Sequence, residues 1–191
     1  MAKPGRFGLQ DPDALVGKAR RELQRLNDVA AEWEGDPGQS DQDWYEKQVE
    51  LQSDHAFNFS ITAWHITDWF SWHVLDRVPY LTSAKKEKAL ADFQSYVRSR
   101  SPALAACYDL SRGAKHFEIT RTAAQITGTD VVVRTGHDSS FSDDFSRRKV
   151  TLRVIDTGGT LRAVEDLFAD ALADINFPDW ERYFRAAGYP V

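Results

Sequence analysis

From Asp13 onward apolar residues recur at helical spacing. Leu15, Ala19, Leu23, Leu26, Ala30 and Trp33 form one stripe with a polar back. Gly35, Asp36, Pro37 and Gly38 end that helix. A second helix is predicted from near Ser40 to about Asp76, with Pro79 just beyond it. Its length is far above the mean, so a kink or a split is expected within it. Ser83 is the expected cap of a third helix carrying Leu90, Phe93 and Val97. Ser101 and Pro102 open a fourth, because a proline at the first helical position gives up no hydrogen bond. It contains Leu104, Cys107, Tyr108 and Leu110 before Gly113.

After Gly113 the period changes. Phe117 to Ile126, the run Val131–Val132–Val133, and Val150, Leu152 and Val154 alternate or cluster as strands do. Thr127–Gly128–Thr129–Asp130 reads as the hairpin turn between the first two. Gly136 to Arg148 reads as a longer, mobile polar loop. Asp156–Thr157–Gly158–Gly159 closes the last strand, and Thr160 is the expected cap of a helix with Leu161, Val164, Leu167 or Phe168, Leu172 and Ile175 on one face. Pro178 starts a short closing helix with Trp180, Tyr183 and Phe184. The expected architecture is α+β and one domain over residues 1–191. It comprises a helical bundle over 13–116, a small antiparallel sheet over 117–156 and C-terminal helices over 160–187.

Composition narrows the classes. The chain has 191 residues, and Lys plus Arg is 24 against 29 for Asp plus Glu. The net charge of −5 gives no global attraction to nucleic acid or to an anionic membrane. No apolar run approaches the roughly 18 to 20 residues of a membrane span. The first residues lack the apolar core of a signal peptide. These features point to a soluble, cytoplasmic protein with no membrane partner. The single cysteine, Cys107, excludes an internal disulfide and a cysteine zinc cage, and its apolar neighbours mark it as packing.

The segment Asp54 to Arg77 holds three of the six tryptophans together with Phe57, Phe59 and Phe70. Side chains this large all round a helix mark the buried centre of a bundle. One line on it is nevertheless polar: Asp54, Asn58, His65 and Asp68, interleaved with Ile61 and Trp72. Buried polar groups need partners. The fourth helix offers Asp109, Arg112 and His116, at spacings of three and four if the helix continues through Gly113. Two facing polar lines would make one compact site. His55 and His73 fall off the stripe and are expected at the edge or exposed.

Arg112–Gly113–Ala114–Lys115–His116, late in a four-helix pattern, resembles the HEPN group (higher eukaryotes and prokaryotes nucleotide-binding). That group is all-helical. Its active members cut RNA without a metal, at a composite site between two protomers. The resemblance spans Asp13 to His116, and Arg112 to His116 is one residue shorter than that group's usual spacing. It implies Arg112 and His116 as catalytic residues with Asn58 and Asp68 in supporting positions, RNA cleavage or nucleotide binding as the activity, and a homodimer; the two polar lines add His65 and Asp109 to the supporting set. It implies no cofactor and no metal. The chemistry is coherent with these residue types. Attack by a 2′-hydroxyl needs a base titrating near neutrality, which an imidazole supplies, and the charge gathering on the phosphate is met by a guanidinium. Arg98, Arg100, Lys115 and Arg121 add local positive charge.

Two other classes fit the same residues. A non-catalytic immunity, inhibitor or assembly factor would use the polar line to specify helix pairing and the 139–148 loop, where Asp143 and Asp144 stand beside Arg147 and Arg148, to contact a protein partner. A metal-binding bundle would draw on His65 and Asp68, completed by Asp54, Asp109 or His116. Neither a Gly-x-Gly-x-x-Gly loop, a phosphate-binding Gly-Lys loop, nor a Gly-x-Ser-x-Gly elbow is present.

Overall fold

The computed structural model describes residues 11–31, 40–116, 126–137 and 146–189, with side chains outside 41, 113–116, 126–128, 130–137 and 146–149. Four helices come first: α1 (Pro12–Ala31), α2 (Asp41–Leu75), α3 (Ser83–Arg100) and α4 (Pro102–His116). Strands β1 (Ile126–His137), β2 (Ser146–Asp156) and β3 (Leu161–Ala163) follow, then α5 (Val164–Ala173) and α6 (Phe177–Ala186). The fold is α+β and mostly helical, as the periodicity predicts.

The expected second helix is a single unbroken one of 35 residues, about 50 Å long. Ser40 caps it by accepting from the Asp43 amide at 3.1 Å. It stays whole because α1, α3, α4, α5 and β2 all pack along it. Each takes a different part of its surface, so aromatic residues on several faces are covered. At the start of α3 the cap is Thr82, one residue earlier than expected. At the start of α4, Ser101 Oγ accepts from the Leu104 amide at 2.9 Å and donates to Asp174 Oδ2 at 2.6 Å. That one hydroxyl fixes the bundle corner to the end of α5.

One cluster of buried residues runs from α1 through α2, α3, α4 and β2 to α6. Its two aromatic foci have different origins. Phe59 of α2 stacks on Phe168 of α5 at 4.1 Å between ring centres. Phe70 and Phe93 meet Trp180 and Phe184 of α6, all within 6.1 Å. The short closing helix, with Asn176 as cap and Pro178 in its first turn, is therefore a core element.

The sheet has the order β1-β2-β3 with both pairings antiparallel. Thr127–Gly128–Thr129–Asp130 is not a turn. It lies inside β1, and an irregularity between Ile126 and Gly128 absorbs the glycine. The strand predicted from Phe117 reaches the described residues only at Ile126. The polar loop is also shorter than expected, because Gly136, His137 and Ser146 to Arg148 belong to the ladder. Residues 138–145 lie outside the described residues.

Thr160 leads into a third strand instead of capping a helix. Asp156 Oδ1 accepts from the Gly158 and Thr160 amides, each at 2.8 Å, and Gly159 supplies the positive φ of 79° that turns the chain back. Leu161 is thus in β3. α5 begins at Val164 and ends before Ile175.

Candidate functional site

The polar line on α2 is not buried. Asp54, Asn58 and His65 are exposed and Asp68 is half-buried. The uncovered strip on this helix is the one that carries the polar residues. The expected meeting of two polar lines in the bundle interior is therefore corrected: these three side chains are not part of the packing that pairs the helices. His73 is exposed as expected.

What the fold assembles instead is a polar surface at the junction of α2, α3 and α4. Each helix supplies a pair one turn apart: Trp64 and Asp68, Gln94 and Arg98, Tyr108 and Arg112. Tyr108 links them. Its ring lies 4.7 Å from that of Trp64. The Arg98 guanidinium stands 4.8 Å and that of Arg112 5.5 Å from the Tyr108 ring centre. Arg112 Nη1 also donates to the Tyr108 hydroxyl at 2.9 Å. On the adjoining side, Gln94 Nε2 donates to Asp68 Oδ1 at 2.5 Å and to Thr67 Oγ1 at 3.3 Å.

The surface thus carries an acid at one end and two guanidinium groups around a tyrosine at the other. Burial pushes the Asp68 carboxyl above the ordinary aspartate range, opposed in part by His65 and by the Gln94 bond. Asp109 is buried and Arg112 exposed, so the two residues face different surroundings although they share α4. α4 remains helical through Gly113 as far as His116. That places positions 112 and 116 one turn apart on one helical face.

Trp64, Gln94 and Tyr108 were not singled out by sequence reasoning as lining residues. Their signal is spacing, since each stands four residues before Asp68, Arg98 and Arg112 respectively.

A second polar locus lies inside the molecule between α1, α2 and β2. Glu22 is buried, its Oε1 accepting from Arg25 at 2.9 Å and its Oε2 lying 3.6 Å from His55 Nδ1. His55 is thus partly buried against α1 and not simply an edge residue. One turn away, buried Gln52 donates from Nε2 to the Val150 carbonyl of β2 at 3.1 Å. The signal for this locus was Glu22 itself, an acid at the register of the apolar stripe between Ala19 and Leu26.

Among the described residues no group of three or more His, Cys, Asp or Glu is arranged to hold a metal ion. No helix among them is long and apolar enough to cross a membrane. Comparison with family models, curated proteins and solved structures finds no match for the chain.

Proposed function

We propose that this chain is a HEPN-like protein that cleaves RNA without a metal at the C-terminal end of α4. In this reading His116 takes the proton from a 2′-hydroxyl as it attacks the adjacent phosphorus; the bond from phosphorus to the 5′-oxygen breaks, that oxygen leaves with a proton returned by the imidazolium or water, and a 2′,3′-cyclic phosphate remains. Arg112 meets the charge that develops on the phosphate oxygens. Arg98 extends the positive surface toward the neighbouring phosphate, and Asp68, His65 and Asn58 line the approach from α2. A second copy of the chain would complete the site, as in the group it resembles.

The observation that carries the reading is the continuity of α4 across Gly113. It keeps Arg112 and the imidazole position one turn apart, and Tyr108 holds the guanidinium through both its ring and its hydroxyl. A base and a cation so spaced suit one scissile phosphate. The test is cleavage of a mixed-sequence RNA in excess chelator, comparing wild type with a folded Arg112→Ala/His116→Ala variant. Cleavage by wild type alone, with a cyclic phosphate on the product, supports the reading. Absence of cleavage by wild type defeats it.

A second reading is favoured by one observation. Trp72, on the uncovered polar strip of α2, is 36% exposed, and Tyr80, in the turn that follows the helix, is 70% exposed. A non-catalytic protein would use this strip to bind a protein partner, and aromatic residues are enriched in such contacts. Failure of the cleavage assay shifts the assignment to this reading.

A further inference from the structure

The register of the β1–β2 ladder places cations directly opposite one another. Arg134 pairs with Lys149, and Arg147 follows two residues from Lys149, opposite Gly136. Alternation along β2 assigns positions 147, 149, 151 and 153 to the face opposite Val150 and Val154, which are buried. By the same pairing, positions 134, 132 and 130 of β1 belong to that face. It therefore carries four cations, Arg134, Arg147, Lys149 and Arg153, with Asp130 as its one acid, in a chain whose net charge is −5.

Like charges directly opposite on a sheet destabilise it. A fold that needs this hairpin only as packing gains nothing from the Arg134–Lys149 pair. The remaining ladder continues past Val133–Val150 through four further pairs, to His137–Ser146. Alternate strand residues are about 7 Å apart, so positions 147, 149 and 153 form a linear row of charge along one strand. A row of this kind suits a linear polyanion better than a single small anion.

We infer that the outer face of the β1–β2 hairpin binds the sugar–phosphate backbone of single-stranded RNA. The choice of RNA among linear polyanions rests on the proposed function; the cationic row itself does not. The hairpin would act as a holding surface, without base readout, separate from Arg112 and His116. Binding of this kind is salt-dependent, because each phosphate contact releases counterions.

The test uses the full chain carrying Arg112→Ala/His116→Ala, so that binding is measured without cleavage. A fluorescent single-stranded RNA is titrated at several salt concentrations, with and without Arg147→Gln/Lys149→Gln. A matched control, Lys85→Gln/Lys88→Gln, makes the same change in net charge on exposed positions of α3. The hairpin variant is expected to bind at least tenfold more weakly. Its slope of log affinity against log salt should be shallower by about 1.4. Its melting temperature should be no lower than that of its parent, because like charges no longer occupy the paired positions 134 and 149. The control should bind within twofold of the parent. Undetectable RNA binding at low salt, equal binding by the hairpin variant, or an equal loss in the control would each overturn the inference. Binding that behaves as expected, in a protein whose wild type does not cleave, removes the proposed catalytic function and leaves the holding surface standing.

Discussion

The Arg112 guanidinium is held by Tyr108 twice, through a hydrogen bond of 2.9 Å to the hydroxyl and through the ring face at 5.5 Å. The hydroxyl orients the guanidinium, while the ring also packs on Trp64 and carries stability. Tyr108→Phe should therefore cost about 1 kcal/mol in denaturant unfolding, since a partly exposed hydrogen bond is lost while the ring stays. Tyr108→Ala should cost about 2 to 3 kcal/mol through lost aromatic packing. If Arg112 is catalytic, Tyr108→Phe lowers RNA cleavage several-fold while the fold stays intact. Equal cleavage by both proteins would show that the hydroxyl does not position the cation.

Asp68 gives a pH signature with a definite sign. Its carboxyl is raised above the ordinary value of 3.8, chiefly because burial disfavours the charged form. The folded state therefore holds this proton more tightly than the unfolded chain does. The stability so gained is full below 3.8 and is lost as pH rises through the raised folded value. Asp68→Asn keeps an oxygen to accept from Gln94 and removes the buried charge. At pH 7 the variant should melt no lower than wild type, and any advantage should shrink as pH falls into the ordinary aspartate range. Melting temperatures of both proteins from pH 3 to 8 check this. A wild type that is the more stable at pH 7 would mean the charged bond to Gln94 outweighs desolvation.

Long-range packing separates what was legible in the sequence from what was not. The helices were legible because their signals are local: Ser40 and Ser101 as caps, Pro102 and Pro178 in first turns, and apolar stripes at a period of 3.6. The turn assigned to Thr127–Asp130 was misplaced because a glycine in a strand reads the same whether it makes a bulge or a hairpin. The burial of the α2 polar line was misjudged for a related reason. Aromatic residues on every side of α2 show that it is central, but not which narrow strip its neighbours leave open. That depends on where α3 and α4 cross it, which no periodicity encodes. Arg112 and His116 were readable as a pair, and Tyr108 stands one turn before Arg112 on the same helix, whereas Arg98 of α3 over the Tyr108 ring emerged only from a contact between helices.

Cys107 offers a probe of the bundle interior. It is fully buried in α4, and burial pushes its thiol well above the ordinary cysteine range. The thiolate is the reactive form, so the folded protein should be inert to thiol reagents. Labelling should proceed only through opening, at a rate that rises with denaturant in step with unfolding. Rapid labelling of the native protein at neutral pH would show that α4 opens locally, far below the global unfolding free energy. Cys107→Ser should cost about 1 to 3 kcal/mol, because it sets a hydroxyl in an apolar site.

Gln52 tests how the sheet is tied to the bundle. Its side chain is 1% exposed, and its Nε2 donates to the Val150 carbonyl of β2 at 3.1 Å. Val150 is a buried position on β2, next in the ladder to the Arg134–Lys149 pair. Gln52→Leu fills similar volume but leaves that carbonyl without its donor, at a cost of about 1 to 3 kcal/mol. Gln52→Glu retains the shape and replaces the donor with a buried charge facing the Val150 carbonyl, one turn from His55. It should destabilise more than leucine at pH 7 and recover as the carboxyl is protonated at lower pH. Unfolding at pH 5 and pH 7 distinguishes the two variants. Hydrogen exchange should show the loss first in the β2 amides around Val150, with α3 and α6 protected as in wild type. If exchange rises uniformly through the helices instead, Gln52 is a general core residue and not the tie between bundle and sheet.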